Sequence, residues 1–237
     1  AHAERADAAT AGHRSRAGRG ERHAIDDFLY DYYSLRPGHL RRWHPGLGVA
    51  LEDAPEHAGW KWFRTCTAGA HAGATSIDIG AFWAARAGAV RFVRDLLQRT
   101  AERPAQLGCF GLHEWAMVYK AGDAERRHGL PLRLGAEATD AVVESHPVQC
   151  THFDAFRFFT PEAVPLNAHA LTRATQPQFE QPACLHANMD VFKWAQKLTP
   201  LGPGDRGLDA CERAVEIRRV DMQASPYDVS AFGLEAI

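Results

Sequence analysis

Apolar side chains recur at helical spacing in several separate segments of the chain. Between residues 79 and 100 this spacing predicts one core-facing stripe, and Pro104 follows the end of the segment. The stripe consists of Phe82, Trp83, Val90, Val93, Leu96 and Leu97. Segments 184–198 and 208–224 show the same amphipathic pattern, and each ends just before an X-Pro pair. Shorter helices are predicted over 24–34 and 135–145. The pattern therefore predicts a mainly α fold.

The segments between these helices carry weaker patterns. Residues 49–80 mix short apolar runs with Gly, Pro and Thr, which is typical of a small hairpin or of long loops. Residues 148–159 fit a strand or a helix, and their β-branched and aromatic content favours an extended conformation. The Pro-rich segment 161–182 predicts an ordered surface loop. We expect a weakly ordered segment over 1–23 and one mainly helical globular domain over 24–237, with minor β content.

Charge and hydropathy limit the partners of the chain. The formal net charge is -2, so no global positive field attracts a phosphate backbone, and contact with DNA would need a local basic patch. No apolar run approaches the roughly 20 residues that cross a bilayer, and residues 1–23 hold no apolar signal-peptide core. These features predict a cytoplasmic protein without a membrane partner.

Cysteine and histidine usage adds two expectations. The five cysteines include no Cys-x-x-Cys pair, which argues against a disulfide framework and a standard zinc ribbon and favours reduced thiols. Several of the 13 histidines, His44 among them, lie in charged or Gly/Pro-containing stretches that predict solvent exposure.

A short pattern of thiol, imidazole and carboxylate occurs twice in the chain. The copies are Cys150-Thr-His152-Phe-Asp154 and Cys184-Leu-His186-Ala-Asn-Met-Asp190, and aromatic and basic residues follow both. These side chains bind metals or move protons, so their repetition beside aromatic residues predicts an interior polar site. A chance echo between two core segments is the alternative interpretation.

Two further features extend this predicted site. On the 184–198 helix, His186, Asp190 and Lys193 share a face, where a His and an Asp four residues apart can share a metal ion or a proton. His113 and Glu114 form a third polar pair inside an apolar run, and a buried ionised Glu114 would need a cationic, metal or imidazole partner. A solvated stripe and a surface glutamate are the plainer interpretations.

Imidazole and carboxylate groups together suit a divalent metal, either non-haem iron or catalytic zinc. The predicted ligands are His113, His152, His186, Asp154 and Asp190. The predicted catalytic groups are Glu114, Asp154, Asp190 and Lys193. The neighbouring cysteines leave open a structural Cys/His zinc site in a binding module, and a thiolate nucleophile activated by its imidazole neighbour.

Substrate contacts are predicted in two places. Arg157 follows the first copy of the repeated pattern and, like Lys193, could steady an anionic group. Tyr33, Arg41 and Trp43 belong to a run that interleaves aromatic and guanidinium groups, which could hold a phosphate and stack a base. A packing surface at a helix end is the alternative for this run.

Five separated blocks also carry a family resemblance. They are YDYYSLRPGHLRRWHPG, GCFGLHEWAMVYK, HPVQCTHFDAFRFFTP, CLHANMDVFKWAQKL and ASPYD, between about Ala24 and Asp228. Together they resemble a bacterial protein family carried under the label "3-methyladenine DNA glycosylase". The resemblance implies hydrolysis of the N-glycosidic bond of an alkylated base, with the flipped base stacked on aromatic residues and Asp154, Asp190 or Glu114 assisting water.

The residues themselves predict a metal-dependent enzyme, either a non-haem iron oxygenase or a metal-assisted hydrolase. Its substrate is expected to be small and polar or nucleobase-like. A metal-free glycosylase and a zinc-containing binding module are the alternatives.

Overall fold

The described chain, residues 1–69, 71–122 and 129–237 of a computed structural model, is mainly helical. The helices are α1 (His2–Gly18), α2 (Phe28–Tyr32), α3 (Pro37–Leu40), α4 (Pro55–Ala58), α5 (Ile79–Glu102), α6 (Leu112–Ala116), α7 (Gly135–Ser145), α8 (Phe153–Phe156), α9 (Gln176–Phe179), α10 (Leu185–Leu198) and α11 (Gly204–Gln223). Short 3-10 turns occupy Val164–Leu166 and Ser230–Phe232. The mainly α fold predicted from the sequence is confirmed.

Helices α10 and α11 form the centre of the fold. They correspond to the two amphipathic segments predicted near the end of the chain. Met189 and Phe192 of α10 are fully buried against Cys211 and Ala214 of α11, and Leu29 of α2 joins the same apolar cluster. Fully burying a side chain such as Phe192 contributes about 1.5–3 kcal/mol. The packing of α10 on α11 therefore fixes the position of every polar group that α10 carries.

Helix α5 packs most of its predicted apolar face on this centre, but Trp83, which the sequence placed on that face, is 43 % exposed. Asp78 caps its first turn, since the Asp78 carboxylate accepts a hydrogen bond from the Ala81 backbone N–H at 3.0 Å. Val93 and Leu96 are buried with Trp194 of α10. Within the described part of the chain, no helix has both the length and the apolar character that crossing a bilayer requires.

The weakly patterned segment 49–80 contains the minor β content. Strands β1 (Ala50–Leu51), β2 (Phe63–Thr65) and β3 (Thr75–Ile77) form one antiparallel sheet in the order β1-β3-β2. Ala50 lies opposite Ser76, and Phe63 lies opposite Ile77. The sheet buries Phe63 and Ile77 and agrees with the hairpin interpretation of this segment.

The first 23 residues contain α1, which is mostly exposed and buries Ala6 and Thr10. Ion pairs attach it to the rest of the protein. Arg5 donates to Asp209 of α11 at 2.8 Å, and Arg16 contacts the buried Asp27 carboxylate. The expectation of a weakly ordered segment rested on the alternation of Ala with charged residues over 1–23, which favours a mostly solvated helix. That pattern does not reveal ion pairs with residues distant in the chain.

The extended conformation favoured for 148–159 is wrong at the centre of the segment, where α8 forms. His152 is still extended, with φ -107° and ψ 115°, and its Nδ1 accepts a hydrogen bond from the Ala155 backbone N–H at 3.2 Å. This cap begins the helix, because it satisfies an N–H that has no helical partner. As a result His152 and Asp154 point to different neighbours.

Candidate metal centre

Three buried imidazoles meet in the interior of the fold. The His186 ring lies between those of His113 and His152, with ring centroids 4.4 Å and 5.5 Å away. Each histidine stands at or near the beginning of a helix, α6, α8 or α10. The two copies of the Cys-His-Asp pattern therefore converge in space, and the His113 segment joins them.

The first polar group, which we call the inner group, consists of His113, Glu114, His186 and Asp221. One ligand atom from each lies within 4.8 Å of all the others, and all four residues are buried. His113 Nε2 donates to Asp221 Oδ1 at 3.0 Å. Two imidazoles and two carboxylates at this spacing are a donor set that binds a divalent transition metal.

A glycine allows the inner group to form. Gly111 precedes α6 with φ 75°, and a Cβ built there would lie 2.6 Å from the Ala224 Cβ. Only a residue without a side chain fits this left-handed turn against the end of α11. The close approach brings His113 of α6 next to Asp221 of α11.

The guanidinium of Arg218 lies beside the inner group, and the residue is 1 % exposed. Its Nη1 donates to Glu114 Oε1 at 3.0 Å and to Asp221 Oδ2 at 2.8 Å. A guanidinium in this position compensates negative charge that would otherwise be very costly to bury.

The ionisation of the three buried groups follows from their neighbours. Burial opposes the charged form of His113, but the adjacent Asp221 carboxylate raises the pKa of His113 well above its ordinary value. Burial and the nearby His113 charge lower the pKa of His186, so that His186 is neutral. Burial and the Asp221 charge raise the pKa of Glu114. The inner group thus contains one charged and one neutral imidazole side by side.

The second polar group, which we call the outer group, consists of His152, Glu180 and Asp190. His152 Nε2 lies 3.2 Å from Asp190 Oδ2 and 3.3 Å from Glu180 Oε1. Because Nδ1 of His152 accepts the Ala155 N–H, the ring proton resides on Nε2 and faces both carboxylates. Tyr33 donates its hydroxyl to Asp190 Oδ1 at 2.8 Å.

An ion cluster lies between the outer group and solvent, and we call it the surface ion cluster. It consists of the buried Asp154 carboxylate, the largely buried Lys193 and the exposed side chains of Arg157 and Arg173. Lys193 donates to both Asp190 and Asp154. Arg173 and Arg157 each contact the Asp154 carboxylate at 3.1 Å. The Arg157 and Arg173 side chains are 43 % and 53 % exposed, so this cluster connects the buried groups with solvent.

Opposing effects set the charges of the outer group. Burial would raise the pKa of Asp190, but hydrogen bonds and charge from His152 and Lys193 lower it below its ordinary value. Burial would lower the pKa of His152, and the Asp190 carboxylate raises it instead. Burial raises the pKa of Glu180. An ionised Asp190 that accepts the Nε2–H of His152 is an arrangement that can hold or pass a proton.

Several sequence-based site predictions need correction. His186 and Asp190 lie on one helix face but fall into different groups, so they do not share one ion as predicted. Asp154, a predicted ligand, pairs with Arg157, Arg173 and Lys193 and belongs to neither candidate metal group.

The predicted substrate-binding residues are also divided between two places. Arg157 joins the surface ion cluster and Tyr33 the outer group, as described above. Arg41 is exposed and contacts Asp7 of α1 at 3.1 Å. Trp43 donates its indole N–H to Asp205 of α11 at 3.3 Å. The Arg/aromatic run 32–43 therefore does not form a single surface.

Three contributors were not found from the sequence. Asp221 and Arg218 lie on α11, three residues apart, within an apparently ordinary amphipathic helix. Glu180 lies at the end of α9 in the Pro-rich loop. A signal for Arg218 and Asp221 exists, since both occupy the buried face of α11, where charged residues are rare unless paired.

Three of the five cysteines, Cys109, Cys150 and Cys184, lie near the buried histidines but are not among the candidate ligands. Cys109 Sγ is 3.7 Å from His113 Nδ1, and its hydrogen bond with Cys150, together with His113, lowers the pKa of the Cys109 thiol. Burial and the Cys109 charge raise the pKa of Cys184. The candidate metal groups found among the described residues contain histidines and carboxylates and no thiol.

Comparisons with family models, with curated proteins and with solved structures find no match for this chain. The glycosylase resemblance thus stays an expectation from the sequence blocks that carry it.

Proposed function

We propose that the protein is a metal-dependent enzyme that binds one divalent ion, iron or zinc, at the inner group. His113, His186 and Asp221 are the ligands, and Glu114 is available as a fourth. The bound ion would act as a Lewis acid that activates water or oxygen, in a hydrolase or an oxygenase acting on a small polar substrate.

The observation that carries this proposal is the state of His186. The residue is 6 % exposed, and its Nδ1 has no hydrogen-bond partner among the described residues. Leaving a buried polar atom unsatisfied costs about 1–3 kcal/mol. A neutral imidazole is also the form that binds a metal ion, and it stands here within ligand distance of another imidazole and two carboxylates.

The neighbouring groups suit this role. A divalent ion would replace the proton between His113 and Asp221, and the charge of Arg218 would limit the excess negative charge of the carboxylates. The His152–Asp190 pair lies next to His186 and leads to Lys193 and the surface ion cluster. Arg157 and Arg173 would orient an anionic part of the substrate from the solvent side.

Metal analysis of protein purified without chelators tests the proposal, followed by titration of the metal-free protein with Zn²⁺ and, without oxygen, Fe²⁺. We expect one tightly bound equivalent per chain. His186→Gln and Asp221→Asn should weaken binding at least 100-fold, whereas Asp154→Asn, in the surface ion cluster, should retain it. Circular dichroism confirms that each variant is folded.

Tight binding that persists in a folded His186→Gln variant would overturn the assignment of the inner group. Loss of binding only on Glu180→Gln would move the ion to the outer group. Metal-free protein that releases free base from methylated DNA would replace the proposal by the glycosylase activity that the sequence resemblance implies.

A further inference from the structure

A large cavity lies beside the C-terminal half of α10 and the first turn of α11. It has a volume of about 660 Å³, which falls in the range of small-molecule binding sites. Its walls include Phe192, Ala195 and Gln196 of α10 and the first turn of α11. The cavity is distinct from the proposed metal site, because none of its described lining residues belongs to the inner group, the outer group or the surface ion cluster.

The charge around this cavity is one-sided. Arg42, Lys61 and Arg86 line it, and in the described chain none of the three forms an ion pair. A fourth cation, Arg206, lies 3.9 Å from Asp209. The described lining residues include no carboxylate. Asp205, in the first turn of α11, contacts His2 and Trp43 and does not line the cavity, so the attraction for an anion comes from the lining cations.

Aromatic rings stand next to these cations. Trp60 and Trp62 both line the cavity, with Arg42 5.6 Å from the Trp60 ring centroid and Lys61 4.6 Å from that of Trp62. Trp62 has φ 74°, a left-handed conformation that is costly for a residue with a large side chain. Strain of this kind concentrates at binding sites. The two indoles offer flat surfaces on which a planar ring can stack.

His44 adds a polar atom that lacks a partner. The sequence-based expectation that His44 is exposed is wrong: it is 9 % exposed, against Trp60 and Phe63. Its Nδ1 has no hydrogen-bond partner among the described residues, and the residue lines the cavity. Burial lowers the pKa of His44 to about 4, so the ring is neutral at pH 7. Depending on the tautomer, its Nδ1 can donate a hydrogen bond to an uncharged group of a ligand or accept one from it.

We infer that this cavity is a binding site for a nucleoside monophosphate or a similar planar aromatic anion. The phosphate lies among Arg42, Lys61 and Arg86, the aromatic ring stacks against Trp60 or Trp62, and His44 hydrogen-bonds a polar edge of the ligand. The site is independent of the metal centre and of the reaction proposed there.

Isothermal titration of the full chain with AMP, GMP, CMP and UMP, in the presence of a chelator, tests this inference. Adenosine and inorganic phosphate are the comparison probes. We expect saturable binding of at least one monophosphate, at least tenfold tighter than its nucleoside or phosphate alone. The double variant Arg42→Gln/Lys61→Gln should weaken it at least tenfold, and both substitutions are at exposed positions that leave the core intact.

Arg94→Gln provides the matched control, because Arg94 is an exposed arginine of α5 outside the cavity. It should bind as the wild type does. Absence of saturable binding for all four monophosphates would overturn the inference. So would equal affinities in the wild type and the double variant, or inorganic phosphate binding as tightly as the best monophosphate.

Discussion

Replacing Arg218 by Met tests whether the inner group is an ionic cluster. Met keeps much of the side-chain volume but removes the guanidinium that lies 3.0 Å from Glu114 and 2.8 Å from Asp221. Two unit charges about 4 Å apart interact by ~4 kcal/mol at an effective dielectric constant of ~20. Breaking a buried pair by removing one partner typically destabilises a protein by about 3–5 kcal/mol. We therefore expect the free energy of unfolding to fall by about 3–5 kcal/mol.

The next residue in the chain supplies the control. Arg219 is 52 % exposed and contacts Asp26 at 3.1 Å, so Arg219→Met should cost about 0–1 kcal/mol. Urea unfolding followed by circular dichroism, in a buffer that contains a chelator, measures both variants. A slope that is equal for all proteins would show that the change in midpoint reflects stability.

A third variant separates charge from packing. Adding Glu114→Gln to Arg218→Met removes one of the two carboxylate charges that the cation leaves behind, so the double variant should be more stable than Arg218→Met alone. Saturating Zn²⁺ should also stabilise Arg218→Met more than the wild type, since the ion supplies positive charge at the same place. If Arg218→Met and Arg219→Met cost the same, the description of the inner group as an ionic cluster is refuted.

Three other outcomes are expected. Gly111→Ala should destabilise the protein by about 1–3 kcal/mol or more, because alanine is strained at this positive φ and its Cβ would clash with Ala224. Gly88→Ala, which faces open space within α5, should be neutral or stabilising by about 0.4–1 kcal/mol. Urea unfolding measures both variants, and destabilisation by both would contradict this reasoning. Phe192→Ala should cost about 3–5 kcal/mol and Val191→Ala, at an exposed neighbour, less than about 0.5 kcal/mol, as thermal and urea unfolding will show. The pKa of His44 is about 4 in the folded protein, below its ordinary value of 6.5. The unfolded chain therefore binds a proton at a higher pH than the folded protein does, and the free energy of unfolding should fall as the pH drops from 6.5 to 4. His44→Gln should reduce this pH dependence, and an unchanged dependence would show that His44 is not buried in its neutral form.

The helices that the sequence predicts best are those whose burial is apolar. The spacing of apolar residues such as Phe82, Val93 and Leu96 predicts α5. The same periodicity, with a Pro just beyond the end of each helix, predicts α10 and α11. The attachment of α1 could not be predicted this way, because it depends on ion pairs with residues distant in the chain. The start of α8 depends on one imidazole acting as a helix cap, which apolar periodicity does not record.

The histidines of the candidate site could be predicted from the sequence, whereas only some of its carboxylates could. The repeated pattern identifies His152 and His186, and the apolar context of His113 identifies the third imidazole. Two of their carboxylate partners, Glu114 and Asp190, lie in the same predicted segments. The other two, Asp221 of α11 and Glu180 just after α9, come from distant parts of the sequence, which periodicity and spacing do not reveal. The nearest acidic residue in sequence, Asp154, bonds to cations at the surface instead.

Helix α10 carries His186 and Asp190 toward the polar interior while Ala195 and Gln196, further along, form a wall of the cavity. Successive residues of an α-helix differ by about 100° in direction and by about 1.5 Å along the axis. Inserting a single alanine after Asp190 would leave the imidazole and the carboxylate in place but turn everything downstream by more than a quarter of a circle. An insertion or deletion inside α10 would therefore disrupt either the polar interior or the cavity wall. We expect the protein to tolerate such changes only in the connections before Leu185 and after Leu198.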